Sequence, residues 1–284
     1  MPELPEVEIA SRQLRSWLAG RRVVAARAAR SRVIRGQAPQ RFAALAGRRL
    51  EGIDRRGKWM LLRFDGGQGL VSHLGMTGKW VRRPASDSPT AYARATLSLD
   101  DGNEVDYRDP RMFGRLIQGE VAALRELPSW RALGPDPLEG IDVERLHAVL
   151  SKTRRSLKEA LMDQRTLAGL GNIYVSESLW RARLSPQRPG TSLTPAETRR
   201  LADAVGESLR AALDAEDSPE PITYVEEGGE NIFRVYDREG QACARCGTAI
   251  RRIVQGGRST YYCPSCQPAG RRRRGSRPAA GRRK

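Results

Sequence analysis

The sequence predicts an α+β chain of several domains: a β-sandwich or barrel behind an N-terminal helix, then a helical region, then a metal-bound β-hairpin. Three observations predict it. Apolar residues recur at helical spacing up to about residue 20, turn to short β-branched runs over 22–119, and return to helical spacing from about 143. A stretch with three prolines and two glycines, "LPSWRALGPDPLEG", separates the second and third of these regions. All four cysteines fall near the end as C-x2-C, sixteen residues, then C-x2-C.

The elements follow in order. From Glu6, the residues Val7, Ala10, Leu14, Trp17 and Leu18 mark one helix face, Pro5 suits the first turn, and Gly20 is placed to stop the helix. "RRVVAARAARSRVI", "KWMLLRF", "GLVSHLGM", "ATLSLDDGNEVDYRD" and "GRLIQG" read as strands separated by Gly or Asp-Gly turns. Helices are expected at roughly 143–150, 154–162, 173–182 and 195–214. Residues 215–235 carry six acids before Arg234 and read as a surface loop. The segment from Cys243 to Cys266 carries strand-like residues around a "QGGR" turn, which places Arg258 at the tip of a short hairpin. Four thiolates at this spacing suit a tetrahedral structural zinc at the base of that hairpin. The competing reading is a pair of disulfides, which a chain without a secretion signal should not form.

Charge points to a partner. Lys and Arg outnumber Asp and Glu by 50 to 33, and removing the eight basic residues of 271–284 from the net +17 leaves +9 on the body. A basic body fits a polyanion, most simply nucleic acid, although excess charge also keeps a protein in solution. No run reaches the ~20 apolar residues of a membrane helix, and the start lacks the order of a signal peptide, so a cytoplasmic or bacterial nucleoid location is expected.

"PELPEVE", "HLGMTGK", "DPRMFGR", "GLGNIYVSESLW" and the four-cysteine hairpin occur in one order between residue 2 and about 267. Together they resemble the formamidopyrimidine-DNA glycosylases, bifunctional base-excision repair enzymes of oxidised purines. The resemblance implies an N-terminal β-sandwich catalytic domain (2–130), a helix-two-turn-helix DNA-binding domain (131–235), a zinc finger (236–267) and a basic tail (268–284) adding nonspecific DNA affinity. It implies that Met1 is removed and that Pro2 attacks the sugar C1′ to give an iminium, with Glu3 delivering a proton and Glu6 supporting it. Lys58, His73, Asn172 and Arg258 would hold the backbone around an everted nucleotide, with Lys58 and Arg258 also counted among the catalytic groups. Met76, Arg111 and Phe113 would fill the gap left in the duplex, on a turn shaped by Asp109 and Pro110. Cys243, Cys246, Cys263 and Cys266 would hold one zinc.

Several of these residues also have an ordinary reading. Pro2–Glu3 begins a helix, Lys58 is a soluble strand edge, Asn172 is an N-cap, Met76 and Phe113 are core, and His147 is plain surface. The partner implied is duplex DNA with oxidised bases or abasic sites, met by a monomer. The stretch "EDSPEPITYVEEGGEN" departs from the Gly-Gly-Thr-Thr loop usual in the purine-specific enzymes, which keeps open the oxidised-pyrimidine specificity of the endonuclease VIII-like sister group. A DNA-binding protein that has lost the chemistry is the remaining alternative.

Overall fold

The computed structural model describes residues 2–34, 36–215 and 231–269. Met1, most of the acidic 216–235 stretch and nearly all of the basic tail lie outside the described residues. Helix α1 (Leu4–Leu18) leads into eight strands: β1 (Val23–Ala28), β2 (Leu50–Arg56), β3 (Trp59–Phe64), β4 (Gln68–His73), β5 (Lys79–Pro84), β6 (Ala93–Leu99), β7 (Asn103–Arg108) and β8 (Arg115–Glu120). They form two antiparallel four-stranded sheets, ordered β1-β6-β7-β5 and β2-β3-β4-β8. A sandwich rather than a closed barrel results. Its core is made by alternate inward residues such as Leu62, Leu70, Leu97 and Val105, and α1 covers it with Val7, Leu14 and Leu18.

The boundary stretch 127–140 and the residues just before it are folded onto the sandwich. Short helices α2 (Val121–Arg125) and α3 (Pro128–Arg131) cover Leu61 and Val71 on the outer face of the second sheet. Helices α4 (Val143–Leu150), α5 (Leu157–Met162), α6 (Asn172–Arg181) and α7 (Pro195–Ala215) then build a second core. Helix α5 starts later than its periodicity suggests because Ser156 caps it, its hydroxyl accepting from Glu159 N–H at 3.3 Å. Strands β9 (Arg251–Gln255) and β10 (Arg258–Tyr262) make the terminal hairpin. Its two-residue turn places Gly256 and Gly257 at φ +55° and +72°, which side chains resist. No helix among the described residues is long and apolar enough to cross a membrane.

Helix α1 ties the two cores together. Leu4 is buried with α5, α6 and α7, whereas Val7, Leu14 and Leu18 are buried in the sandwich. Residues 2–6 therefore sit at the seam. Two further contacts fix it: Leu4 N–H donates to Gly169 O at 3.1 Å, and buried Asp136 accepts Gly57 N–H at 2.8 Å and Arg55 Nη2 at 3.1 Å.

Candidate active site and DNA-facing surface

Glu3 is wholly buried at the N-terminus of α6. Its carboxylate accepts backbone N–H groups from Gly171 at 2.9 Å, Ile173 at 2.9 Å and Tyr174 at 3.2 Å. The free amides at a helix start are a natural seat for an anion. Glu6 accepts Glu3 N–H at 2.8 Å and Tyr174 Oη–H at 2.8 Å. Burial, and then the nearby Glu3 charge, pushes the Glu6 carboxyl above its ordinary value. Pro2 is buried beside this pair.

Lys58 enters from the turn between β2 and β3. Burial holds its ammonium below the ordinary lysine value; Glu3 and Glu6 oppose that shift, and Arg258 adds to it. Gly57, at φ +56°, allows the turn to lie against Ala168 and Gly169. Gly171 permits a closer approach, since a Cβ there would meet the Glu3 carboxyl and lie 2.5 Å from Lys58 Nζ. Gly171→Ala is expected to lower single-turnover base excision at least ~10-fold and, by displacing the Glu3 carboxylate from its N–H partners, to cost about 1–3 kcal/mol of stability. A normal rate would mean that Glu3 and Lys58 need not approach so closely.

Strand register brings His73 to the same edge, paired with Trp59 on one side and Arg115 on the other. Its Nδ1 accepts Gly75 N–H at 3.0 Å, which leaves the proton of the neutral ring on Nε2. Burial, reinforced by Lys58 and Arg115, lowers its pKa to about 4. His73 is thus a neutral donor at pH 7. Because the folded pKa lies below the unfolded value of 6.5, wild-type protein should lose up to about 3 kcal/mol as pH falls from 6.5 through about 4. Urea midpoints over that range should fall less for His73→Asn; equal pH dependence would contradict a half-buried ring held neutral.

Two further groups meet here. The structure does not make Asn172 the N-cap; Gly171 takes that position and Asn172 is the first helical residue. Its Nδ2 donates to Ser259 O at 2.9 Å, and its buried Oδ1 has no hydrogen-bond partner among the described residues. Lys158, on α5, was not anticipated. It is fully buried, donates to Ser259 O at 2.9 Å and Thr260 Oγ1 at 2.7 Å, and is lowered to about 8, chiefly by burial. Both side chains therefore hold the hairpin strand immediately after Arg258. The only sequence signal is a lysine on the helix arc shared with Leu157 and Leu161.

Met76, Arg111 and Phe113 form a separate cluster on two loops. Buried Asp109 joins the loops, accepting Thr77 Oγ1–H at 2.7 Å and Gly114 N–H at 2.8 Å. Gly75, at φ +66°, lies against the backbone of Phe113 and Gly114, which brings Met76 alongside. Met112 adopts φ +55° and packs inward. Its neighbours consequently face out: Phe113 is 52% exposed, with the Arg111 guanidinium 5.1 Å from its ring centroid. An exposed Phe is not core, so the ordinary reading fails for that residue. Met76 is half-buried. His147 is not plain surface either, since its Nδ1 meets Thr198 Oγ1 at 2.9 Å.

The four cysteines are free thiols whose sulfurs all lie within 4.8 Å of one another. Three pairs stand at 3.5, 3.5 and 3.9 Å. A zinc with bonds of about 2.3 Å needs sulfurs about 3.8 Å apart, so the set fits a tetrahedral ion with no ligand missing. The disulfide reading does not hold.

The comparisons agree in every segment. The family model of the formamidopyrimidine-DNA glycosylase N-terminal domain matches residues 1–116, that of the formamidopyrimidine-DNA glycosylase H2TH domain matches 133–220, and the zinc finger found in FPG and IleRS matches 240–269. A formamidopyrimidine-DNA glycosylase of Roseiflexus sp. is 41% identical, covering 94% of this chain and 100% of that protein. The Thermus thermophilus enzyme of that name is 42% identical, covering 95% and 100%. Among solved structures, MutM (Fpg) of Thermus thermophilus superposes with TM-score 0.81 at 39% identity, covering 95% of this chain and 100% of that one. MutM in complex with DNA containing carbocyclic 8-oxo-G gives 0.84 at 31% identity, covering 94% and 100%. Lactococcus lactis Fpg with DNA containing an abasic site gives 0.85 at 31%, covering 94% and 99%.

Proposed function

The chain belongs to the formamidopyrimidine-DNA glycosylase family, and on that premise we propose that Pro2 is the nucleophile with which it removes oxidised purines from DNA. It is a DNA glycosylase and abasic-site lyase, with 8-oxoguanine and formamidopyrimidines as the lesions. The observation that carries the assignment of residues is the convergence of buried Glu3 and Glu6 and half-buried Lys58 beside Pro2, at the seam between the two cores.

Loss of Met1 frees the secondary amine of Pro2. The amine must be neutral to attack C1′; a free α-amine is roughly one-tenth neutral at pH 7. Its place ahead of α1 disfavours the cation, and a Glu6 held toward its protonated form adds less negative charge to restore it. Attack at C1′ forms the C–N bond and expels the base. The Glu3 carboxylate takes up the proton that leaves the Pro2 nitrogen and passes it to the sugar ring oxygen as the ring opens to the iminium, while Glu6 holds the Glu3 backbone N–H. The resulting iminium acidifies the adjacent sugar protons for successive β- and δ-elimination. Lys58, whose ammonium is held below the ordinary lysine value chiefly by desolvation, is stabilised as a cation by a phosphate arriving beside it.

His73, through Nε2–H, and Arg258 hold the flanking phosphates, and Asn172 joins them by exchanging Ser259 O for the DNA. Met76, Arg111 and Phe113 enter the duplex where the base leaves. Cys243, Cys246, Cys263 and Cys266 hold a zinc that shapes the hairpin and takes no part in the reaction. Residues 2–130, 131–235 and 236–267 divide the work as catalytic, DNA-binding and zinc-finger units, and 268–284 adds nonspecific affinity. The protein works as a monomer at the bacterial nucleoid.

Incubation with an 8-oxoguanine duplex and borohydride should trap a covalent adduct on the N-terminal peptide, and intact mass should show Met1 removed. Binding without any adduct on oxidised or abasic duplexes would overturn the enzyme reading. Faster release of thymine glycol than of 8-oxoguanine would overturn the lesion assignment.

A further inference from the structure

The zinc centre is gripped from outside its four ligands. Trp180, in the last turn of α6, is buried with Cys243 and Cys263 in one apolar cluster. Its indole Nε1–H donates to Cys243 Sγ at 3.4 Å. Arg245, between the first two cysteines in sequence, lays its guanidinium 3.9 Å from the Trp180 ring. The same side chain closes the C-terminal end of α6, donating from Nη1 to Trp180 O at 2.6 Å and from Nη2 to Arg181 O at 3.3 Å. A cation at that end also complements the helix dipole.

We propose that Trp180 and Arg245 act together to set how tightly the tetrathiolate centre holds zinc. Four thiolates and a divalent ion carry two net negative charges, which repel one another unless donors and cations withdraw charge from sulfur. The indole N–H does this at Cys243, and Arg245 brings a positive charge while locking the indole plane by stacking. The need is local. Cys246 is exposed and Cys266 half-buried, and both line an open groove of about 490 Å3 with Arg183 and Arg245. Water and competing ligands therefore reach two of the four sulfurs, and retention depends on the buried side, where Trp180 sits. Since the other end of α6 receives Glu3, the contact also makes the zinc hairpin and the Glu3 seat parts of one rigid helix.

The inference takes the zinc as given and goes beyond the reaction, so its readout is the metal. Trp180→Phe keeps the ring and removes the donor. In competition with a chromogenic chelator it should weaken zinc binding 10- to 100-fold. Arg245→Leu should weaken it less, because the indole donor to Cys243 remains. Affinity within twofold of wild type for Trp180→Phe would overturn the proposal. A wild-type measurement guards against misfolded variants: on exchange of zinc for 113Cd, the indole N–H resonance of Trp180 should shift while those of Trp17, Trp59, Trp80 and Trp130 stay in place. An unmoved Trp180 resonance overturns it equally, whereas failure of the borohydride trap would leave this result untouched.

Discussion

Glu3→Gln should lower single-turnover excision of 8-oxoguanine by about 10^2- to 10^4-fold, the usual worth of a positioned proton donor. It should slow strand cleavage at a preformed abasic site far less. An abasic sugar already presents an aldehyde in its open form, so the amine can condense without proton delivery to expel a base. Stability should fall as well. The Glu3 carboxylate accepts three backbone N–H groups, from Gly171, Ile173 and Tyr174. Whichever way a Gln amide is turned, its NH2 faces at least one of those donors. A buried unsatisfied donor costs about 1–3 kcal/mol, and loss of the negative charge at the α6 N-terminus adds about 0.3–1 kcal/mol. Urea denaturation and paired assays on 8-oxoguanine and abasic duplexes would separate these effects. Equal losses on both substrates at unchanged stability would remove Glu3 from the base-expulsion step.

What the sequence revealed and what it hid divide along a physical line. Zinc was legible because its four ligands lie within 24 consecutive residues at a spacing that only a few chemistries use, from Cys243 to Cys266. The switch to strands near residue 22 was legible because a half-buried strand must alternate. Arg258 at a turn was legible because adjacent glycines mark one, and both take φ values that glycine allows. Contacts between distant segments were not legible. Glu3 meets the start of α6 about 170 residues away, at separations of 168, 170 and 171. Asn172 reads locally as an N-cap, and only the docked hairpin, 87 residues on, gives its amide a different partner. Lys158 is hidden for a related reason: helical patterns assign lysine to solvent, and its burial is tolerable only because Ser259 and Thr260 accept its protons. Asp136 lay in what read as a domain boundary, yet it closes the seam on Gly57 and Arg55. In each case the missing information is the tertiary partner, which no local pattern contains.

Removal of zinc, or Cys246→Ser, should unfold the hairpin while leaving the sandwich and the α4–α7 unit folded. The two large cores contain no cysteine. The hairpin, by contrast, packs through a small cluster of Trp180, Val235, Cys243, Ile250, Tyr261 and Cys263, two of which are themselves ligands. A lone two-stranded ribbon is marginal in water, whereas zinc supplies roughly 10–16 kcal/mol to such modules near pH 7. Differential scanning should show an early transition that zinc abolishes, followed by an unchanged main one. Function should fail at the first transition. Arg258 would lose its place, and a charge-assisted hydrogen bond to phosphate is worth about 1.5–3 kcal/mol, or roughly 10- to 100-fold in binding. The salt dependence of DNA binding should shrink by about 0.9 in log–log slope for each phosphate no longer neutralised. Ser259 and Thr260 would also release Lys158 and Asn172, leaving a lysine buried beside Glu3 without its oxygen partners. For that reason the damage should exceed that of Arg258→Ala alone. If the metal-free protein matched Arg258→Ala in both excision rate and salt slope, the hairpin would be a holder for one arginine and nothing more.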